Sequence, residues 1–137
     1  MKLCTLVASF VIAAVLAIPT PSGAAPLGDN QYNRCMNSSD GSNLAWGRCG
    51  HEWLEREEQR LARSWKRIHA GATGATKAAL ETEQETWIRF KNSSCQTYES
   101  GEFGREGQVL GFPICRARII AARIKDLDAS WSDVGRR

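Results

Sequence analysis

Few groups in this chain could do chemistry, and their spacing keeps them apart. His51 and His69 are its two imidazoles. A catalytic nucleophile needs a base beside it and a third group to orient that base. Eighteen residues separate the histidines on what reads as one helix, so within one chain they do not meet. His51 lies near Cys49, but a cysteine held in a disulfide is no nucleophile. The carboxylate pairs Glu57/Glu58 and Glu81/Glu85 sit at helical spacing. Acidic residues placed this way usually form a solvated face, and nothing marks one pair for acid–base work. The sequence has no Gly-rich phosphate loop, no HExxH and no redox CxxC. The reading is a protein that is not an enzyme, with no catalytic residue and no cofactor.

The five cysteines divide into two kinds. Cys4 falls inside an apolar run that follows Lys2 and extends from Leu3 to Ile18. Pro19, Pro21 and the small residues Ser22 to Ala25 close that run. Charged start, apolar stretch and small-residue exit are the marks of a secretory signal peptide, expected to be cleaved near Ala25. A run this short does not suit a spanning helix, and nothing later in the chain could cross a bilayer. The expected location is therefore exported, periplasmic or secreted, with no membrane span in the mature chain. Cys35, Cys49, Cys95 and Cys115 remain. An even count in a small exported domain reads as a disulfide framework. Four cysteines allow three pairings, and spacing alone does not choose among them. A four-cysteine zinc site needs C-x₂₋₄-C pairs, which are absent, so no metal is expected.

The net charge of +3 comes from 18 basic and 15 acidic side chains, interspersed along the chain. A nucleic-acid binder shows a basic patch or stripe, and none is visible.

The elements that must position these residues are helical. Residues 1–25 are the expected signal peptide. Residues 26–42, rich in Gly, Asn, Ser and Asp, read as an irregular lead-in. Asn43 to Ala70 carries Trp46, Cys49, Trp53, Leu54, Leu61, Trp65 and Ile68 within one helical arc. Gly71 to Gly74 breaks the pattern. A second helix over Ala75 to Tyr98 carries Leu80, Gln84, Trp87, Ile88, Lys91, Cys95 and Tyr98 on one stripe, with Thr73 or Thr76 as N-cap. Four glycines between Glu99 and Phe112 predict a loop, long for a bundle connection. Pro113 suits the first turn of a third helix. That helix runs to about Ala129 and buries Cys115, Ile119, Ile120, Ile124 and Leu127. Residues 130–137 read as a flexible tail onto which Trp131 could dock. The expected fold is all-α: a small three-helix antiparallel bundle over 43–129, stapled by two disulfides, after the signal peptide.

Several polar residues fall on the faces to be buried: Glu57, Gln84, Lys91, Arg116 and Arg123. Buried charges need partners. Helical phase suggests that Glu57 or Glu58 pairs with Arg123, with Gln84 bonding nearby. The alternative is that these long side chains snorkel to solvent at the core edge.

The order of these features resembles the LprI-like lysozyme inhibitor family. Glu58, Leu61, Trp65 and Ile68 match an acidic-x-x-Leu stretch, with Ala62 where the family carries Asn. Leu80, Gln84, Trp87, Phe90 and Cys95 match the second-helix motif, with Glu83, Lys91 and Asn92 replacing Ala, Arg and Asp. Cys115, Arg123 and Leu127 match the last part, with Ile120 where Thr is common. The resemblance covers about Cys35 to Leu127. It implies a helical domain whose neighbouring cysteines are bridged, Cys35–Cys49 and Cys95–Cys115. It implies that Glu58, Leu61, Trp65, Leu80, Gln84, Trp87, Phe90, Arg123 and Leu127 form the motif core. It also implies a protein partner, a lysozyme, blocked sterically. The Gly-rich loop carries Phe103, Arg105, Glu106 and Phe112, an aromatic and arginine set of the kind enriched at interface hot spots. Those aromatics could instead tuck the loop onto the core. An envelope interaction or structural module without inhibitory activity is the competing reading. The sequence does not set the oligomeric state.

Overall fold

The computed structural model describes residues 28–134. The expected signal peptide and the last three residues lie outside that range. Within it, the elements are α1 (Asn30–Ser38), α2 (Asn43–Gly71), α3 (Gly74–Ser93), a 3₁₀ turn (Gln96–Tyr98), the short α4 (Gly104–Glu106), a π turn (Gly107–Gly111) and α5 (Phe112–Val134). No strand occurs among the described residues.

α2, α3 and α5 form an up-down-up bundle. Lys91 reaches Glu58 and His69 reaches Glu81, which sets α3 antiparallel to α2. Pro113 lies against Gly50 and Trp131 against Gly71, which sets α5 parallel to α2. A Cβ at Gly50 would sit 2.7 Å from the Pro113 ring. Helix propensity disfavours a glycine there by about 1 kcal/mol; the close approach of α5 explains its presence. Along this seam Leu61, Ile68, Ile120, Ile124 and Leu127 make one buried cluster. The second cluster is Tyr32, Cys49, Trp53 and Ala117.

Tyr32 brings a correction. The irregular lead-in expected over 26–42 is helical across Asn30–Ser38. Asp29 caps it, accepting from the Tyr32 amide at 2.6 Å. Tyr32 is buried against Trp53, with ring centroids 4.5 Å apart. The Cys35–Cys49 disulfide ties α1 to α2. A nine-residue polar helix is marginal alone; tertiary contacts supply what local composition lacks. The flexible tail expected from residue 130 is a second correction: α5 continues to Val134, held where Trp131 docks on Gly71.

α3 is the least embedded helix. Gln84 is its one buried side chain. Ile88, expected on the buried stripe, is 41% exposed.

Asp29 also fastens α1 from the side. The Arg56 guanidinium donates to both of its carboxylate oxygens at 3.0 Å. Arg56 also donates to the Glu52 carbonyl at 2.9 Å. The hydrogen bond from Arg56, then the Tyr32 amide, hold the Asp29 carboxyl below its ordinary value against the opposing effect of partial burial. A carboxyl whose pKa is lowered on folding stabilises the fold above the unfolded pKa, and that contribution disappears as pH falls through the folded value. Asp29→Asn keeps a good cap and removes the charge. It is expected to unfold at lower urea than the wild type at pH 7, with the gap closing below about pH 4. Asp29→Ala, which loses the cap too, is expected to cost about 1–2 kcal/mol at pH 7. Equal midpoints for wild type and Asp29→Asn at neutral pH would refute the role of the ion pair.

Candidate partner-binding surface

Two features bear on α3: a buried polar latch at its middle and an exposed turn beyond its end. The latch centres on Arg123, 6% exposed. Its Nε and Nη2 donate to Gln84 Oε1 at 3.1 and 2.9 Å, and its Nη1 pairs with Glu83. The expected contact with Gln84 is present. The expected carboxylate, Glu57 or Glu58, is not the partner. Glu57 is buried and accepts twice from Arg60, at 2.9 and 3.1 Å. Glu58 pairs with Lys91. Phase around α5 aims Arg123 at α3, and the nearest carboxylate there is Glu83, one of the positions departing from the family motif. Trp87 lies beneath both cations, 5.8 Å from the Arg123 guanidinium carbon and 5.7 Å from Lys91 Nζ.

The motif residues therefore do not form one uniform core. Leu61 and Leu127 are buried, as are Gln84 and Arg123. Glu58, Trp65, Leu80 and Trp87 are half-buried. Phe90 is 54% exposed, which corrects its placement in the core. At about 100° per residue Phe90 falls well around α3 from the Leu80, Gln84, Trp87 and Lys91 stripe, so it stands at the helix edge.

The turn is built by its glycines and by Cys95. Cys95 takes a left-handed φ of 69° where the chain leaves α3, and it is bridged to Cys115 on α5. Gly101 and Gly104 have φ values of 98° and 61°, which a side chain would strain. Gly111 is there for a different reason, since a Cβ at that position would overlap the Tyr98 ring. Val109 is buried and rests on Gly47. The loop expected over 99–112 is thus a folded, anchored turn of helical pieces running without a break into α5. Only two of its glycines serve turning; Gly107 and Gly111 serve close packing.

This turn separates the four residues singled out for partner binding. Phe103, 53% exposed, stacks on Tyr98 with centroids 5.2 Å apart. Arg105 and Glu106 are exposed beside it on α4, and Arg105 Nη1 donates to Gln108 at 2.7 Å. Phe112 is half-buried under the Arg116 guanidinium, whose carbon lies 5.1 Å from the ring. Phe112 thus belongs to the seating of α5, whereas the other three are available to a partner.

Each histidine pairs with one carboxylate: His51 with Glu55 one turn along α2 at 3.4 Å, and His69 with Glu81 on α3 at 2.7 Å while its ring lies against Trp65. Among the described residues no group of three His, Cys, Asp or Glu side chains is arranged to hold a metal ion. None of the described helices is long and apolar enough to cross a membrane.

Replacing Cys95 and Cys115 together by Ala is expected to lower stability by about 3 kcal/mol, the value for a closed loop of this length. Gly111→Ala is expected to cost about 1–3 kcal/mol, because the Tyr98 ring must move. Urea denaturation measures both; an unchanged midpoint for Gly111→Ala would show that Tyr98 is not fixed there.

The family model for the lysozyme inhibitor LprI matches residues 35–127. Neither the curated proteins nor the solved structures gave a match. The matched span runs from the first bridged cysteine to the buried Leu127 and takes in both disulfides, the Arg123 latch and the anchored turn. That match covers well over half of the sequence, and by it the chain belongs to the lysozyme inhibitor LprI family.

Proposed function

We propose that this protein is an exported, non-enzymatic inhibitor that binds a peptidoglycan-cleaving lysozyme and blocks its cleft with the Phe103–Glu106 turn. Family membership supports the class of partner. The observation that carries the choice of surface is Phe103, a large aromatic left more than half exposed on a turn fixed at both ends. Aromatic and arginine side chains dominate interface hot spots, and a turn already held in its bound shape loses less entropy on docking. Arg105 beside it supplies a cation to face the carboxylate pair that glycoside hydrolysis requires. The signal sequence expected over residues 1–25 and the two disulfides support an oxidising, extracytoplasmic setting. Recognition would rest on close fit, since a chain of net +3 gains no general steering toward a basic enzyme.

Purified oxidised protein titrated against several lysozyme types in a cell-wall lysis assay is expected to inhibit at least one of them stoichiometrically. Phe103→Ala and Arg105→Ala are each expected to weaken inhibition at least about fivefold, the effect of losing roughly 1 kcal/mol. Phe112→Ala is expected to lower stability more than affinity. If protein with both disulfides intact inhibits no lysozyme type, the inhibitor reading fails and an envelope interaction module takes its place.

A further inference from the structure

The outer face of α5 carries an arrangement that the proposed inhibitor surface does not use. Arg118, Ala122 and Asp126 are all exposed and follow one another at intervals of four. That interval is the principal ridge of a helix surface, along which helices pack against one another. The three residues line an open groove of about 640 Å³ between α3 and α5. Its floor is apolar and aromatic: Trp87 and Tyr98 half-buried, Phe90 half out in solvent. Among the described residues neither Arg118 nor Asp126 has an ion-pair or hydrogen-bond partner, so both charges are free to meet a second molecule. A small residue therefore sits midway between two unpaired opposite charges, at the edge of an exposed aromatic surface.

We propose that this face is an interface between two copies of the chain, related by a two-fold axis through Ala122. In an antiparallel two-fold pairing, a residue four before the crossing point meets the residue four after it. Arg118 of each copy then faces Asp126 of the other, so the symmetry makes two ion pairs from one ridge. Ala122 at the crossing lets the two helices approach at the short end of the roughly 8–10 Å range. The approach covers the groove and the exposed part of Phe90. The pattern is self-complementary, which is why a second copy, rather than an unrelated acidic or basic partner, is the occupant it fits. This proposal does not rest on the inhibitor reading.

Sedimentation velocity of the oxidised protein over a concentration series tests it. A monomer–dimer equilibrium is expected, with a dimer of twice the monomer mass. Arg118→Asp and Asp126→Arg each place like charges opposite one another twice, and each is expected to raise the dissociation midpoint at least about tenfold. The charge-swapped double variant, Arg118→Asp with Asp126→Arg, restores both pairs and is expected to return the midpoint close to that of the wild type. Ala122→Glu is expected to disrupt the dimer by holding the helices apart. All three positions are exposed, so helicity and unfolding midpoint are expected to stay near wild type. A monomer at every concentration overturns the proposal. So does a dimer indifferent to the single reversals, or one that the double variant does not restore.

Discussion

Arg123 is the one buried cation among the described residues, and it joins α5 to a helix that buries only one of its own side chains. That side chain is the glutamine which accepts from Arg123. A buried guanidinium is tolerated only when its donors are met. Gln84 and Glu83 meet them on one side, and the Trp87 ring lies nearby on the other. The geometry is a planar fork seated on an amide, which lysine could not reproduce. Removing the Gln84 acceptor would leave two of the guanidinium donors unmet while Glu83 keeps the third, typically a loss of about 1.5–3 kcal/mol. The apolar contacts of α3 through Leu80 and Trp87 are partial, so the latch, together with the His69–Glu81 and Lys91–Glu58 pairs to α2, sets the rotation and height of the helix. The backbone that leaves the end of α3 inherits that position.

That backbone enters the turn, and here the disulfides take over from the core. A domain of this size buries a modest share of its surface. Its two bridges tie peripheral elements to that core: Cys35–Cys49 joins the polar α1 to the second apolar cluster, and Cys95–Cys115 joins α5 to the point where α3 gives way to irregular backbone. Between these staples the α2–α5 seam carries most of the buried apolar side chains. Rigid seam, latched helix and stapled turn form a chain of dependence that begins at Gly50 and Pro113, where α2 and α5 touch.

The period of the apolar residues makes α2, α3 and α5 legible in the sequence, because a helix that buries one face must repeat that face. The Gln84–Arg123 contact is legible for the same reason. Its carboxylate is not, since phase shows which way Arg123 leans but not which neighbour lies there. α1 is hidden because its stability comes from Tyr32 on Trp53 and Asp29 on Arg56, contacts across 21 and 27 positions that a local reading of polar residues does not contain. The glycines of the turn mislead. Gly101 and Gly104 do mark changes of direction, but Gly111 marks the place where a tyrosine lies flat against the backbone, and composition cannot tell the two uses apart. Analogy with a motif puts Phe90 inside, while its angle around α3 puts it at the edge.

The exposure of Phe103 follows from this same packing. The hollow over Gly111 accommodates one ring, and Tyr98 occupies it. Phe103 is left to stack on the outer side of Tyr98, with about half its surface in water. Folding alone gives little reason for a phenylalanine at that position: the turn is already fixed by Cys95–Cys115, by Val109 and by the backbone bonds from Gly104 to Gly101 and from Gly107 to Phe103. A smaller or polar side chain would leave those restraints intact. An aromatic ring held rigid and kept half out of the protein, next to an arginine committed only to a neighbouring glutamine, is better explained by a second molecule that covers it than by the stability of the first.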